Sequence, residues 1–197
     1  VKLYFMRGLP GEKDDELEQV VKLVGECSDY AKRFGGRRAS INVAFSTFVP
    51  KPFTPFQWSR MIGIEEIKEK IDYLKKNIRY RNVNIKWHDP EMSVMEGVFS
   101  RCDTRLAKVV VDAWKSGARF DGRSSFFDFE KWKKAFEKNN IDYREYLEEI
   151  DLSETLAWDN IDIGVYKAFL ISELSKVEKA QHTDDCRTLE CRKCGVC

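Results

Sequence analysis

Lys2-Leu3-Tyr4-Phe5-Met6-Arg7, followed by Gly8-Leu9-Pro10-Gly11-Glu12, is the stretch on which the reading of the fold turns. Its first six residues are apolar and aromatic enough to predict a buried strand. The Gly/Pro turn stops that strand, and Lys13-Asp14-Asp15-Glu16 supplies the acidic start of a helix. A strand that breaks in such a turn and passes into a helix is half of a βα unit. In parallel sheets, ligands sit at that junction, beyond the carboxyl ends of the strands. A buried parallel strand needs neighbours on both sides. A strand this close to Val1 is therefore expected to belong to a larger enzyme, of which the chain is a fragment.

The residues that follow repeat the unit. Over residues 14–34, Leu17, Val20, Val21, Val24, Cys27 and Ala31 recur at spacings of three and four, which predicts an amphipathic helix stopped by Gly35-Gly36. Residues 40–49 (SINVAFSTFV) are β-branched, aromatic and almost continuously apolar, as parallel strands are. The next loop, Pro50 to Trp58, is stiffened by Pro50, Pro52 and Pro55 and carries Phe53, Phe56 and Trp58. It reads either as a loop packed over the end of a barrel or as a wall facing a ligand. Residues 63–79 predict a second helix with Ile64, Ile67, Ile71, Leu74 and Ile78 on one face. Residues 82–87 (NVNIKW) alternate as a half-exposed edge strand does. The strand ends in His88-Asp89-Pro90, which is either an acid/base pair or, more ordinarily, a loop histidine held by its neighbouring carboxylate.

From Glu91 the pattern becomes helical. Residues 103–116 place Leu106, Val109, Val110, Ala113 and Trp114 on one side, and residues 126–138 do the same with Phe126, Phe129, Trp132, Ala135 and Phe136. Short helices are expected over 143–149 and 153–158, and a last one over 165–179 with Phe169, Leu170, Leu174 and Val177 inward. Arg101, Asp103 and Arg105 could grip an anion, but such a group more often caps a helix and pairs internally. Cys27 reads as a small buried hydrophobe, and no chemistry is assigned to Cys102. The class is α/β: a βαβαβ fragment of a partial (β/α) barrel over 1–90, an all-helical appendage over 91–181 and a Cys-rich metal-binding tail over 182–197.

Composition narrows the function classes. The chain has 197 residues, 43% hydrophobic and 34% charged, which suits one globular unit with a core. The net charge of +1 gives no nucleic-acid footprint. No apolar run approaches the roughly 18 residues of a membrane span, and no signal-peptide pattern is present. The cytoplasm is the expected compartment.

Cys186, Cys191, Cys194 and Cys197 crowd the last residues. In that compartment such a cluster reads as metal-binding before disulfide. Four thiolates can close a zinc tetrahedron or hold an iron–sulfur cluster. The usual zinc arrangement sets two close pairs far apart, and that gap is missing here. A Cys-x2-Cys-x2-Cys run instead wraps one segment around a [4Fe–4S] cluster, and Gly195 lets the backbone come close. Zinc remains the alternative, and His182 is a further candidate ligand.

Several stretches together resemble a known family. They are Leu3-Tyr4-Phe5-Met6-Arg7-Gly8-Leu9-Pro10-Gly11-Glu12, then Ser46-Thr47-Phe48-Val49-Pro50-Lys51-Pro52-Phe53-Thr54-Pro55-Phe56-Gln57-Trp58, Trp87-His88-Asp89-Pro90, Glu96-Gly97-Val98, Gly117-Ala118-Arg119-Phe120-Asp121, Trp158-Asp159-Asn160-Ile161-Asp162 and Cys194-Gly195-Val196-Cys197. In this order they are similar to the second half of a radical S-adenosylmethionine domain. The likeness is to a group that carries a cobalamin-binding-type N-terminal domain and a downstream domain of unknown function.

The resemblance implies a partial barrel of six βα units, of which this chain would supply the fifth and sixth strands plus an extra one. It implies that Gly8, Leu9, Pro10, Gly11, Glu12, Ser46, Phe48 and Pro50 line an S-adenosylmethionine site. The intact protein would use that cofactor in an oxidoreductase reaction, with cobalamin as a further candidate. The tail would carry an auxiliary [4Fe–4S] cluster. The expected partner is the N-terminal half of the same domain, and a bare sheet edge would pair with a second copy or be covered by the chain's own helices. The family has Gly where Cys102 stands and an aromatic and acidic pair near Arg123-Ser124-Ser125. The Cys-x3-Cys-x2-Cys loop of the radical-generating cluster does not occur in this sequence, so the chain alone is not expected to catalyse. The competing reading is a non-catalytic module, stapled by zinc or an iron–sulfur cluster, that binds a partner protein or RNA.

Overall fold

The computed structural model describes residues 1–13, 15–35, 39–188, 191 and 194–196. Strand β1 (Lys2–Arg7), helix α1 (Glu16–Gly35), β2 (Ile41–Thr47), α2 (Ile64–Asn77) and β3 (Val83–Trp87) come first. Helices α3 (Pro90–Arg101), α4 (Leu106–Lys115), α5 (Phe129–Lys138) and α6 (Lys167–Glu178) follow. The strands make one three-stranded parallel sheet in the order β1-β2-β3. Leu3 pairs with Val43 and Phe5 with Phe45, while Val43 also faces Ile85 on the other side. The mixed α/β class expected from the alternating pattern is the class observed.

Helices α1 and α2 cover one face of this sheet. Val24 of α1, Leu74 of α2 and Ile78, which caps that helix, close over Ile41, Val43 and Phe45. The Phe5 and Phe45 rings stack there at 5.4 Å, and Cys27 packs at the edge of the same core. The opposite face has no such cover among the described residues. Tyr4 is 74% exposed and Met6 52%, and Lys2, Asn84 and Lys86 are exposed beside them. The prediction of a buried first strand is thus corrected: β1 lies at the edge of the sheet, and only its Leu3, Phe5 and Arg7 side is covered.

A second core joins the later helices to the first part of the chain. Ile64, Ile67 and Ile71 of α2 meet Val94, Met95 and Val98 of α3, Leu106, Val109 and Ala113 of α4, and Trp132, Ala135 and Phe136 of α5. Helix α2 therefore faces the sheet with one end of its stripe and the helical appendage with the other. A third cluster gathers Trp58, Leu156, Trp158 and Leu170. Its organiser is Gln57, 2% exposed, whose Oε1 accepts from the Phe53 N–H at 3.0 Å and the Trp158 indole N–H at 2.7 Å. The proline-rich loop is accordingly packed down, not open.

Local capping accounts for where the expected helices fall short. Asp128 accepts from the Glu130 N–H at 3.1 Å, so α5 starts after Phe126, which is left exposed. Asp151 accepts from the Ser153 N–H at 2.8 Å and from its hydroxyl. This Asx turn replaces the helix expected over 153–158. Trp114 and Val177 are also exposed, although their spacing placed them inward. Arg119 lies over the Trp114 ring at 4.4 Å instead. No helix among the described residues is long and apolar enough to cross a membrane.

One side chain fastens the appendage. Arg101, at the end of α3 and 4% exposed, donates to the carbonyls of Ser59 (2.8 Å), Tyr146 (2.8 Å from Nε, and again from Nη2) and Glu148 (2.8 Å). Two backbone bonds run alongside, Met61 N–H to Leu147 at 2.7 Å and Ile150 N–H to Trp58 at 2.8 Å. Burial pushes the guanidinium down to about 10, against the pull of Glu148, so it stays charged at neutral pH. Replacing Arg101 by Met leaves these buried carbonyls without a donor. We expect a loss of about 3–5 kcal/mol in urea denaturation. Arg101→Lys should recover less than half of it, because a single ammonium cannot span three carbonyls.

Candidate functional site

The carboxyl ends of all three strands lie along one edge of the sheet, because the strands are parallel. Residues that follow β1 form a closed turn. Gly8 adopts φ +76° and Gly11 φ +81°, both in the left-handed region. The Gly8 N–H donates to Glu12 Oε2 at 2.9 Å, and the Glu12 N–H donates to the Leu9 carbonyl at 3.0 Å. Glu12 is 8% exposed at its side chain and is paired with Lys70 of α2 at 2.8 Å. The first glycine's N–H is thus taken up inside the turn.

A buried cation lies below it. Arg7 is 1% exposed and sits 5.8 Å from the centre of the Phe45 ring. Among the described residues, none of its three guanidinium nitrogens has a hydrogen-bond partner, and neither does Thr47 Oγ1, its neighbour in register on β2. Burial pushes Arg7 down to about 10, and the Glu12 charge acts in the opposite direction. Glu12 is therefore held between Lys70, which it touches, and Arg7.

The other residues singled out by the resemblance fall into two groups. Leu9 is 37% exposed, and at Gly11 an added Cβ would meet nothing within 4 Å, so this part of the turn is open. Ser46 is half-buried and donates its hydroxyl to the Phe5 carbonyl at 3.3 Å. Pro10 is half-buried. Phe48 and Pro50 are buried. Phe48 packs edge-on against Phe56 at 5.5 Å, so these two support the edge from beneath.

At the end of β3 the chain does something else. Asp89 accepts from the Glu91 and Met92 N–H groups, both at 3.0 Å, and caps α3. His88 is exposed. Both lie on the wall of a cavity of about 770 Å³ between the end of β3, α3, the turn near Gly122 and α5. Sequence reasoning missed this cavity. Its far wall comes from Asp121, ahead of α5, and from Trp132, read as a core position, and nothing in the spacing links them to Trp87.

The helix-entry cluster resolves into internal pairing. Asp103 is bound by the Arg105 side chain at 2.9 Å, and Arg101 is the fastener described above. Burial, with the Asp103 charge, pushes the Cys102 thiol up, which leaves it a poor nucleophile at neutral pH. In the tail, Cys186 and Cys191 are exposed and Cys194 half-buried, while Cys197 lies outside the described residues. The Tyr166 N–H donates to the Cys194 carbonyl at 2.8 Å. Among the described residues, no group of three Cys, His, Asp or Glu side chains is gathered closely enough to hold a metal ion. His182 pairs with Asp184 at 3.2 Å.

With this geometry in hand, comparison adds one relative. An uncharacterised protein of Methanocaldococcus jannaschii is 25% identical over 112 residues, which cover 55% of this chain. The match spans 22% of that relative's length. No family model and no solved structure matches the chain.

The two glycines of the turn make a contrast that can be measured. A Cβ at Gly8 would stand 2.6 Å from Ile62 Cδ1 and 2.8 Å from Cγ1, whereas Gly11 is open. Both substitutions carry the left-handed penalty of about 1–2 kcal/mol. Gly8→Ala should add overpacking of about 1–3 kcal/mol. Chemical denaturation should rank wild type above Gly11→Ala and Gly11→Ala above Gly8→Ala, with the gap between the two variants narrowed in an Ile62→Val background.

Proposed function

We propose that β1, β2 and β3 are part of the wall of a larger parallel β/α barrel, and that the chain contributes to an S-adenosylmethionine site of the radical type. The observation that carries this reading is the uncovered sheet face. Parallel sheets are normally buried on both sides, and here helices cover only one. The bare side presents Tyr4, Met6, Ser46, Asn84 and Lys86. Those residue types suit a barrel interior better than they suit a core. On this reading the rest of the barrel covers the face, which also removes the open edge of β1 as a template for unwanted pairing.

The residues present suit the cofactor at one place. The outer side of the turn is open at Gly11 and Leu9, and Met6 and Ser46 adjoin it on the bare face. Glu12 acts as a positioning residue that fixes the turn through the Gly8 N–H. Leu9 and Met6 would give apolar contact to the nucleoside, and Ser46 a polar one. S-adenosylmethionine, reduced by an iron–sulfur cluster, supplies hydrogen-abstraction chemistry. The ligands of that cluster would come from residues outside this sequence, as would any cobalamin site, and the protein would work in the cytoplasm. The four tail thiolates suit [4Fe–4S] or zinc by number and kind, and the described part of the tail does not assemble a site by itself.

Two measurements test this. In the full-length protein, purified anaerobically and reconstituted with iron, S-adenosylmethionine should bind. Met6→Glu should weaken it by about tenfold or more, which is about 1.4 kcal/mol, while the denaturation midpoint stays unchanged. Binding unaffected by that variant would sink the assignment of the face. Separately, metal analysis of the anaerobic protein should find iron, and Cys194→Ser should lower it. A colourless, zinc-loaded sample would instead favour the stapled binding module.

A further inference from the structure

The cavity at the end of β3 is distinct from the turn after β1, and its unused chemistry is specific. Most polar groups around it are already satisfied. The Asp89 carboxylate caps α3, the Ser93 hydroxyl donates to the Asp89 carbonyl at 2.8 Å, and Glu96 accepts from Lys51 at 2.7 Å. Apart from the exposed His88 and Ser124 side chains, two buried groups are left over. Asp121 Oδ1 and Trp132 Nε1 are both buried, and neither has a partner among the described residues. Trp132 is 7% exposed, and both residues line the cavity. One leftover is an acceptor and the other a donor. Each is costly to bury unmatched.

The walls restrict what can match them. Trp87, Phe99 and Trp132 are aromatic, with Phe99 edge-on to Trp132 at 5.2 Å. Such walls favour a flat, apolar-faced guest. A simple ammonium is a poor fit. The Lys75 ammonium already stands 4.4 Å from the centre of the Trp87 ring, and an ammonium offers the Trp132 N–H no acceptor. An anion is disfavoured by the carboxylates of Asp89, Glu96 and Asp121. What remains is a neutral planar ring that carries both an N–H donor and a lone-pair acceptor.

We infer that this cavity is a binding site for a purine-type heterocycle, whose N–H pairs with Asp121 and whose ring nitrogen or carbonyl accepts from Trp132. The site needs no contribution from the turn after β1, so it stands whether or not that turn holds a cofactor.

The test is a calorimetric titration of the chain with guanosine and adenosine, with tetramethylammonium as a cation probe. At least one nucleoside should bind at millimolar concentration or below. Asp121→Leu removes the acceptor, and Trp132→Phe removes the donor while keeping an aromatic ring. Each should weaken that binding by about tenfold or more. Asp121→Leu removes an unmatched buried group and should not lower the denaturation midpoint, whereas Trp132→Phe also gives up core contacts and should lower it, so its binding is read at a temperature where the variant is folded. Phe120→Ala, at an exposed aromatic outside the cavity wall, should leave binding unchanged. The inference is overturned if neither nucleoside binds, if tetramethylammonium binds more tightly, or if both cavity variants bind as wild type does.

Discussion

The junction between α3 and the segments around Ser59 and Tyr146 depends on Arg101. A buried guanidinium is expensive unless its donors are matched, and this one is matched by carbonyls instead of a carboxylate. Those carbonyls belong to the segment entering α2 and to the short 3-10 helix Tyr143–Leu147 and the residue after it. Neither segment could satisfy them in a ladder of its own. Arg101 thereby converts two irregular stretches into a fixed junction, and the flanking bonds from Met61 and Ile150 extend it. The sheet and the later helices keep a common orientation because α2 is anchored here and also serves both cores.

A second buried guanidinium, Arg7, is arranged differently. It has an aromatic ring and a nearby carboxylate charge but no hydrogen-bond partner among the described residues. Glu12 makes no hydrogen bond to it, and its Oε2 is turned instead to the Gly8 N–H and Lys70. The result is a turn whose shape is set electrostatically from below, with its outer surface left to Leu9 and Gly11. That division suits a loop that must hold its form while something else occupies its open side.

Periodicity revealed the elements because it reports burial on one face at a time. The stripes of α1 and α2 and the alternation of β3 were legible for that reason. The burial of β1 was misread because an apolar strand looks the same whether one face is covered or two. Phe126 and Trp114 were placed inward by spacing and ended outside, since the cap at Asp128 and stacking by Arg119 are local events that spacing does not encode, and Val177 is exposed as well. The Gly-Leu-Pro-Gly-Glu turn was legible as a turn, but the use of Glu12 to close it required knowing that Gly8 and Glu12 face one another. The cavity beyond β3 was not legible at all, because its walls come from residues more than thirty positions apart, Trp87 and Trp132 among them.

The two ends of the carboxyl edge differ in how they use polar groups. At β1 and β2 the donors and acceptors of the turn are consumed internally, by Gly8 with Glu12 and by Ser46 with the Phe5 carbonyl. A ligand there would be held mainly by shape and apolar contact on a prearranged surface. At β3 the cavity keeps one donor and one acceptor unmatched while its charged neighbours are paired. Discrimination among ligands is strongest where binding relieves an unmatched polar group, since a wrong ligand leaves that penalty in place. Polar recognition is therefore more sharply specified at the end of β3 than at the turn after β1.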